Sequence, residues 1–265
     1  MQSLTVTVIQ ADLVWEDKKE NLHRFEEKIR SIKEHTELVI LPEMFSTGFS
    51  MNTNTLAETM EEQTVSWMKR VAAENKIILT GGLIIKEEAN IYNRLIWMLP
   101  NGEYGVYDKR HLFGYGRETE FYEPGNKRLI ASAKGWKINL QVCYDLRFPV
   151  WARNRVWESI PEYDILIYVA NWPMQRIHAW KTLLCARAIE NQCYVIGVNR
   201  VGTDGNDLAY SGNSMIIDPL GKVLYHTEES EDVFTLTLDK NSLIDIRNKL
   251  PFLKDGDDFT FNHTD

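Results

Sequence analysis

The chain has 265 residues, a formal net charge of −8 and a hydrophobic content of 44%. These values fit one large domain over residues 1–265, because the apolar content is sufficient for a core and no linker-like or low-complexity stretch interrupts it. The acidic balance and the lack of a Lys/Arg run argue against nucleic acid as a partner. No apolar run has the length that a bilayer requires, so we expect no membrane partner.

The strand and helix signals alternate along the chain. Asp17 is a candidate cap for the first helix, and Ile177, Trp180, Leu184 and Ile189 are expected on the inward face of the last one. About ten strands in a repeated β-α-β-β order predict an α/β fold of two sheets packed face to face with helices outside, a four-layer αββα sandwich. The predicted strands are residues 4–9, 37–41, 77–85, 92–99, 104–107, 136–142, 164–170, 194–199, 214–217, 222–225 and 233–238, and the predicted helices are 17–32, 65–73 and 177–190.

The cysteine content indicates the cell compartment. Cys143, Cys185 and Cys193 are an odd and sparse set, which is not a disulfide framework and favours a reducing cytoplasm. The first residues lack the basic start and apolar centre of a signal peptide and instead predict a strand. We therefore expect a cytoplasmic protein in which Cys185 and Cys193 are inert core thiols.

Cys143 stands directly after the strand predicted at 136–142. Pro149 permits a new helix soon afterwards, so Cys143 is expected at a strand-to-helix corner. Such a corner can lift the sulfur out of the sheet and direct backbone N–H groups at the atom that it attacks. The alternative is a buried cysteine that acts as a small hydrophobic side chain.

Two further predicted strands are followed by charged residues. Glu43 comes directly after the wholly apolar run Leu38-Val-Ile-Leu-Pro42, where desolvation would raise a carboxylate pKa and favour acid–base chemistry. Lys109 comes after the strand at 104–107. The alternatives are a cap or loop acid for Glu43 and a solvated basic turn for Lys109. With Cys143, the two residues would supply the base, cation and nucleophile of acyl transfer.

Other arrangements fit the pattern less well. His111 and His178 are the nearest candidates for a cysteine–histidine dyad, but neither has a distinctive context, and no spacing suggests a metal site. Gly81-Gly82 lies within the strand predicted at 77–85 and lacks the Lys-Ser/Thr of a phosphate loop. We interpret it as a point of close backbone packing.

These residues belong to a longer series of motifs that resembles the nitrilase superfamily of carbon–nitrogen hydrolases. The resemblance runs nearly end to end, and the order and spacing of the motifs are specific. The Asn-Trp-Pro segment and the acidic-aromatic tail are most similar to the bacterial omega-amidases. The motifs are Leu41-Pro-Glu43, Lys109-Arg-His-Leu-Phe113, Cys143-Tyr-Asp-Leu-Arg147-Phe-Pro, Ala170-Asn-Trp-Pro173, Ala186-Arg-Ala-Ile-Glu-Asn191, Gly197-Val-Asn-Arg-Val-Gly202, Tyr210-Ser-Gly-Asn-Ser214, Asp218-Pro-Leu-Gly221 and Asp255-Gly-Asp-Asp-Phe259.

The resemblance implies the αββα sandwich, a homodimer and a catalytic triad of Glu43, Lys109 and Cys143. A second glutamate is expected at Glu118, with Glu120 as its rival. As a hypothesis, Cys143 attacks an amide carbon and forms a thioester, while Lys109 and the backbone N–H of Tyr144 hold the oxyanion. No metal or organic cofactor is expected.

The resemblance also implies the substrate, a small amide such as 2-oxoglutaramate or 2-oxosuccinamate, which water hydrolyses. Arg147 is the candidate for the substrate carboxylate, unless it forms a structural pair with Asp145. Trp172 and Phe45, or Phe49, could wall the pocket, or could pack in the core. Two alternatives stay open: an amidase or carbamoylase for another small carboxylated amide, and a catalytically silent scaffold.

Overall fold

The structure, a computed structural model, describes residues 3–158 and 160–260. The helices are Lys18–Arg30 (α1), Thr53–Leu56 (α2), Gln63–Asn75 (α3), Pro149–Ala152 (α4), Ile177–Asn191 (α5) and Lys240–Lys249 (α6). The strands are Ser3–Gln10 (β1), Leu38–Ile40 (β2), Ile78–Glu87 (β3), Asn90–Met98 (β4), Tyr104–Asp108 (β5), Ile130–Ala133 (β6), Trp136–Val142 (β7), Val156–Trp157 (β8), Ile160–Pro161 (β9), Ile165–Val169 (β10), Tyr194–Val198 (β11), Val201–Thr203 (β12), Ala209–Ile217 (β13), Val223–Glu228 (β14) and Asp232–Asp239 (β15).

Two large sheets form the centre of the molecule. The first has the strand order β15-β1-β2-β3-β4-β5, and the second has the order β12-β13-β11-β10-β7-β6, with β14 paired to β13. In the first sheet β1, β2 and β3 are parallel, and in the second β7, β10 and β11 are parallel. Antiparallel strands extend both sheets.

Alternating side chains of β2 show how the layers stack. Leu38 and Ile40 pack into the apolar core shared with the second sheet. Val39 points the other way and packs with residues of α1 and α3. This alternation is the period-two geometry of a strand with both faces buried. On the far side of the second sheet, α5 packs against β11 and β13. The predicted four-layer αββα sandwich is therefore confirmed.

Most predicted elements are present, with small shifts at their ends. Asp17 caps α1, because its Oδ1 accepts a hydrogen bond of 3.0 Å from the N–H of Glu20. The prediction for Ile189 is wrong, since its side chain is 55% exposed. It lies five residues after the buried Leu184, which places it about 140° around the helix, whereas Ala188 lies on the buried face.

The sequence pattern did not predict α6 or the short strands β6 and β12. In α6, Leu243 is the buried residue, so the helix lacks a wide apolar stripe. Polar contacts hold it instead: Arg247 donates to Asp164 Oδ1 at 2.9 Å and to the carbonyl of Gln192 at 2.9 Å. None of the helices within residues 3–158 and 160–260 combines the length and apolarity that crossing a membrane takes.

The carboxyl ends of the central parallel strands bring polar residues to one end of the sandwich. Glu43 follows β2 closely, Cys143 follows β7 directly, and Asn171 follows β10. Lys109 follows the antiparallel strand β5 in the first sheet. Side chains from both sheets therefore meet where strands end, as is usual for sites on α/β folds.

Candidate active site

Three charged side chains form a closed cluster at this end of the sandwich. The ammonium of Lys109 donates to Glu43 Oε1 at 2.9 Å and to both oxygens of Glu118, at 3.1 and 2.9 Å. All three side chains are 0% exposed. A lone buried charge would be very unfavourable, so each carboxylate depends on this cation for its stability as an ion.

Asn93, in the middle of β4, bridges the two carboxylates. Its Nδ2 donates to Glu43 Oε1 at 2.7 Å and to Glu118 Oε1 at 2.8 Å. Because ionised carboxylates only accept hydrogen bonds, this amide presents its nitrogen to both. Asn93 was not predicted, and the strand pattern around it contains no signal for a site residue.

Further contacts fix Glu43 from outside the cluster. The backbone N–H of Asn171 donates to Glu43 Oε2 at 2.8 Å, and its side chain donates to the Glu43 carbonyl at 2.6 Å. On the other side, a Cβ at Gly82 would lie 3.0 Å from the Glu43 Cα and from the Met44 nitrogen. The close backbone packing predicted for Gly81-Gly82 is confirmed. At Gly82 the missing side chain leaves room for the backbone of Glu43.

Cys143 occupies a sharp corner. It has a φ of 45°, which is in the left-handed region, and it begins the 3₁₀ helix Cys143–Arg147. Such a backbone is strained for a residue with a side chain and persists where surrounding contacts hold it. The strand-to-helix corner predicted from the sequence is present, and Cys143 is 9% exposed and lines a cavity.

Asp145 holds this corner in place. Its Oδ2 accepts hydrogen bonds from the N–H of Val142 at 3.0 Å and from the Tyr107 hydroxyl at 2.7 Å, and its Oδ1 accepts one from the N–H of His111 at 2.9 Å. Asp145 therefore ties the Cys143 corner to the loop that carries Lys109. His111 is engaged by Asp145 and stacks on Phe148 at 3.9 Å, so it belongs to this support.

The protonation states follow from burial and charge. Burial raises the pKa of the Cys143 thiol well above its ordinary value, Glu43 raises it further, and Lys109 opposes them. Burial alone would lower the pKa of Lys109, but the charges of Glu118 and Glu43 outweigh it and raise that pKa well above its ordinary value. At neutral pH the thiol of Cys143 is therefore neutral and the side chain of Lys109 is an ammonium ion.

Glu118 and Glu120 have very different surroundings. Burial raises the pKa of Glu118, although Lys109 opposes this effect, and the N–H of Phe113 donates to Glu118 Oε2 at 2.6 Å. Glu120 lies on the surface and pairs with Arg117 at 2.7 Å. The structure therefore brings Glu118, and not Glu120, to Lys109.

A cavity of about 610 Å³ opens above Cys143 and Lys109. Its wall is rich in aromatic side chains, with polar groups among them. A cavity of this size can enclose a small organic molecule. Its lining residues include Glu16, Phe49, Phe113, Tyr115, Tyr144, Arg147, Asn171, Trp172, Arg176 and Asp204.

The predicted substrate-binding residues separate into two groups. Arg147 and Trp172 both line the cavity, and the guanidinium lies 5.0 Å from the Trp172 ring centroid. Within the described residues, Asp145 is engaged by other donors and forms no ion pair with Arg147. The assignment of Phe45 to the pocket is wrong, because its ring is fully buried between Phe25 and Trp67 in the core beneath α1 and α3. Phe49 lines the cavity instead.

The two other cysteines have no such surroundings. Burial raises the pKa of Cys193 far above its ordinary value and also raises that of Cys185. A raised thiol pKa without a neighbouring base makes a poor nucleophile. Cys143 differs from them in having Glu43 and Lys109 beside it.

Comparison with known proteins identifies the family. Residues 5–248 match the carbon–nitrogen hydrolase family. The chain is 40% identical over 262 residues to "Omega-amidase YafV" of Yersinia enterocolitica, covering 98% of this chain and 99% of that protein. It is 30% identical to "2-oxoglutaramate amidase" of Bacillus subtilis, covering 95% of this chain and 96% of that protein.

A solved structure agrees with these relatives. The crystal structure of XC1258 from Xanthomonas campestris, described as a CN-hydrolase superfamily protein with an arsenic adduct in the active site, has a TM-score of 0.97 and 43% identity. It covers 99% of this chain, and this chain covers all of it. The chain described here belongs to the carbon–nitrogen hydrolase family.

Proposed function

We propose that this protein is a cysteine-dependent omega-amidase. It hydrolyses the terminal amide of a small α-keto acid, 2-oxoglutaramate or 2-oxosuccinamate, to the dicarboxylate and ammonia. The observation that carries the proposal is the buried Lys109, which contacts Glu43 and Glu118 beneath a cavity that Cys143 lines. The names of the relatives from Yersinia enterocolitica and Bacillus subtilis support the choice of substrate.

The acylation step uses the neutral thiol. Glu43 takes the proton from Cys143 as the sulfur attacks the amide carbon, which avoids a free thiolate in a buried site. The Lys109 ammonium and the N–H of Tyr144 stabilise the oxyanion. Glu43 then returns the proton to the leaving nitrogen, the C–N bond breaks, ammonia leaves and a thioester remains on Cys143.

The deacylation step uses water in the place of ammonia. Glu43 removes a proton from the water as the water oxygen attacks the thioester carbon. The C–S bond then breaks, Glu43 returns the proton to the sulfur, and the carboxylic acid leaves. Glu118 orients the substrate or the water through Lys109, which it contacts with both oxygens. No metal or organic cofactor enters either step.

Arg147 supplies the proposed contact to the substrate carboxylate. Its planar guanidinium can form two parallel hydrogen bonds with a carboxylate. The Trp172 ring, with its centroid 5.0 Å from the guanidinium carbon, holds this group by a cation–π contact. Trp172 also walls the cavity, where it is 3% exposed. A carboxylated amide would thus place its charge on Arg147 and its amide at Cys143.

A second candidate is an amidase or carbamoylase for another small carboxylated amide. The cavity of about 610 Å³ leaves room for a larger substrate than a short keto acid amide. A silent scaffold is disfavoured, because Glu43, Lys109 and Cys143 are all retained and grouped.

Ammonia release distinguishes these functions. The purified protein would be assayed with 2-oxoglutaramate, 2-oxosuccinamate, glutamine and carbamoyl-β-alanine, with Cys143→Ala as the control. We expect the highest kcat/KM for one of the keto acid amides and no release by the variant. Preference for carbamoyl-β-alanine would favour the second candidate. Absence of release from every amide would support the scaffold.

We also propose a cytoplasmic homodimer. Exposed apolar side chains on the outer helix layer support this assembly: Ile189 of α5 is 55% exposed and Ile244 of α6 is 44% exposed, while Leu220 is 54% exposed in the turn before β14. Sedimentation equilibrium would test it, and a monomer at micromolar concentration would contradict it.

A further inference from the structure

We propose that Arg176 supplies a second guanidinium group, which binds the α-keto acid head of the substrate together with Arg147. The inference rests on the proposed omega-amidase function and names a specificity residue of the same site. Arg176 ends the 3₁₀ helix Met174–Arg176, which begins three residues after Asn171, and it lines the cavity with Cys143.

Aromatic contacts hold Arg176 at the cavity wall. Its guanidinium lies 5.2 Å from the Phe113 ring centroid and 5.9 Å from that of Tyr115. Its backbone carbonyl accepts a hydrogen bond of 2.8 Å from Trp172 Nε1, and Trp172 in turn supports Arg147. The two arginines therefore share Trp172 as a common support, and stacking on aromatic faces leaves the guanidinium edges free for a ligand.

Among residues 3–158 and 160–260, no carboxylate forms an ion pair with either guanidinium. In the described part of the protein, carboxylates form ion pairs with many arginines but not with Arg147 or Arg176. The acids that line the cavity have other partners. Glu16 accepts from the Ser50 hydroxyl at 2.5 Å, and Asp204 accepts from the Tyr210 hydroxyl at 2.9 Å. Two guanidinium groups at one cavity, neither of them ion-paired with a described carboxylate in a protein of net charge −8, point to an anionic ligand.

The chemistry of an α-keto acid matches two guanidinium groups. Its planar head presents two carboxylate oxygens and the adjacent keto oxygen, all of them acceptors. A single guanidinium satisfies a carboxylate edge with two parallel N–H donors, which leaves the keto oxygen for another donor. A simple carboxylate lacks that third oxygen, so the second arginine provides a means to prefer keto acid amides over plain ones.

The test is kinetic and uses amides that differ only in the head. Wild type and Arg176→Gln would be assayed with 2-oxoglutaramate, with glutaramate, which keeps the carboxylate but has no keto group, and with the neutral pentanamide. We expect KM for 2-oxoglutaramate to rise about tenfold or more in the variant with little change in kcat. The increase should be smaller for glutaramate and absent for pentanamide. Arg176→Lys should recover part of the affinity, since a lysine supplies charge without the planar fork.

Arg155→Gln is the matched control. Arg155 also stacks on an aromatic ring, at 5.7 Å from Trp157, but lies outside the cavity, so its loss should change none of the three KM values. An Arg176→Gln variant with unchanged KM for 2-oxoglutaramate would overturn the inference and leave the omega-amidase function standing. A wild type that prefers pentanamide to 2-oxoglutaramate would overturn the function itself and this inference with it.

Discussion

The floor and the rim of the site are built by opposite means. The floor consists of Glu43, Asn93, Lys109 and Glu118, which are fully buried and joined by hydrogen bonds of 2.7–3.1 Å. The rim consists of Arg147, Trp172 and Arg176, where guanidinium groups rest on aromatic rings. A buried floor held by mutual hydrogen bonds fixes the chemistry, whereas a rim whose cations have no ion-paired carboxylate is completed by a ligand and selects it.

If this division holds, floor variants should lower kcat for every amide. The largest effect is expected for Lys109→Met, which removes the oxyanion cation and leaves two carboxylates buried without a counter-ion. We expect a loss on the order of 10²–10³ in kcat for both 2-oxoglutaramate and pentanamide. Lys69→Met, a surface cation over Tyr104, serves as the control. A Lys109→Met enzyme that is folded by circular dichroism and keeps most of its rate would contradict the role of the floor.

A smaller loss is expected for Asn93→Leu, which keeps the volume but removes both donors. We expect kcat to fall by about 10–100-fold for all amides, since two like charges then lie together with one partner fewer. The acidic limb of the pH–rate profile should also move to higher pH, because the poorly solvated carboxylates hold protons more readily. Asn90→Leu on the same strand, exposed beside Tyr92, should move neither quantity. A fall in thermal stability with an unmoved pH profile would make Asn93 a purely structural residue.

A rim variant should separate binding from chemistry. In Arg147→Lys we expect KM for 2-oxoglutaramate to rise about tenfold, because a lysine cannot reproduce a two-point contact with a carboxylate. The kcat for this substrate and the kcat/KM for pentanamide should stay near the wild-type values. An unchanged KM for 2-oxoglutaramate would remove Arg147 from substrate binding.

The smallest change is expected when the pH of the wild-type assay is raised. The pKa of Cys143 lies well above its ordinary value of 9.0 and that of Lys109 well above 10.5, so the thiol stays neutral and the ammonium stays charged as pH rises through 9.0. We therefore expect kcat/KM to stay level through this range. Protonation of Glu118 would weaken its contact with Lys109, and because the pKa of Glu118 is raised from 4.5, we expect this effect to place the acidic limb above that value. A fall in kcat/KM centred below pH 9.0 would contradict this account, because it would show that the thiol or the ammonium loses its proton in that range.

The residues of the site differ in how far the sequence predicts them. Lys109 and Cys143 stand directly after strands and Glu43 stands close to the end of one, and a charged or reactive residue in such a place is visible in the sequence. Asn93 lies inside a strand, and its contact with Glu43 depends on how β3 and β4 pair and on the turn that carries Glu118. No local pattern contains that information.

The wrong assignment of Phe45 to the cavity wall has a related cause. Phe45 and Phe49 both follow Glu43, and the sequence does not tell which turn of the loop faces the cavity. The structure directs Phe45 to the core, where a Cβ at Gly81 would lie 2.7 Å from its ring. The layers of the fold, in contrast, follow from wholly apolar strands such as β2, because a continuous apolar run in the sequence indicates a strand with both faces buried.

The proposed thioester on Cys143 is tested most directly by trapping it. Wild-type enzyme would be mixed with 2-oxoglutaramate, quenched with acid within the first turnovers, digested and analysed by mass spectrometry. We predict that the peptide carrying Cys143 gains the mass of the substrate less ammonia, and that Cys143→Ala shows neither this adduct nor ammonia release. An acyl adduct on Cys185 or Cys193 would contradict the proposed mechanism. So would ammonia release by Cys143→Ala at the wild-type rate.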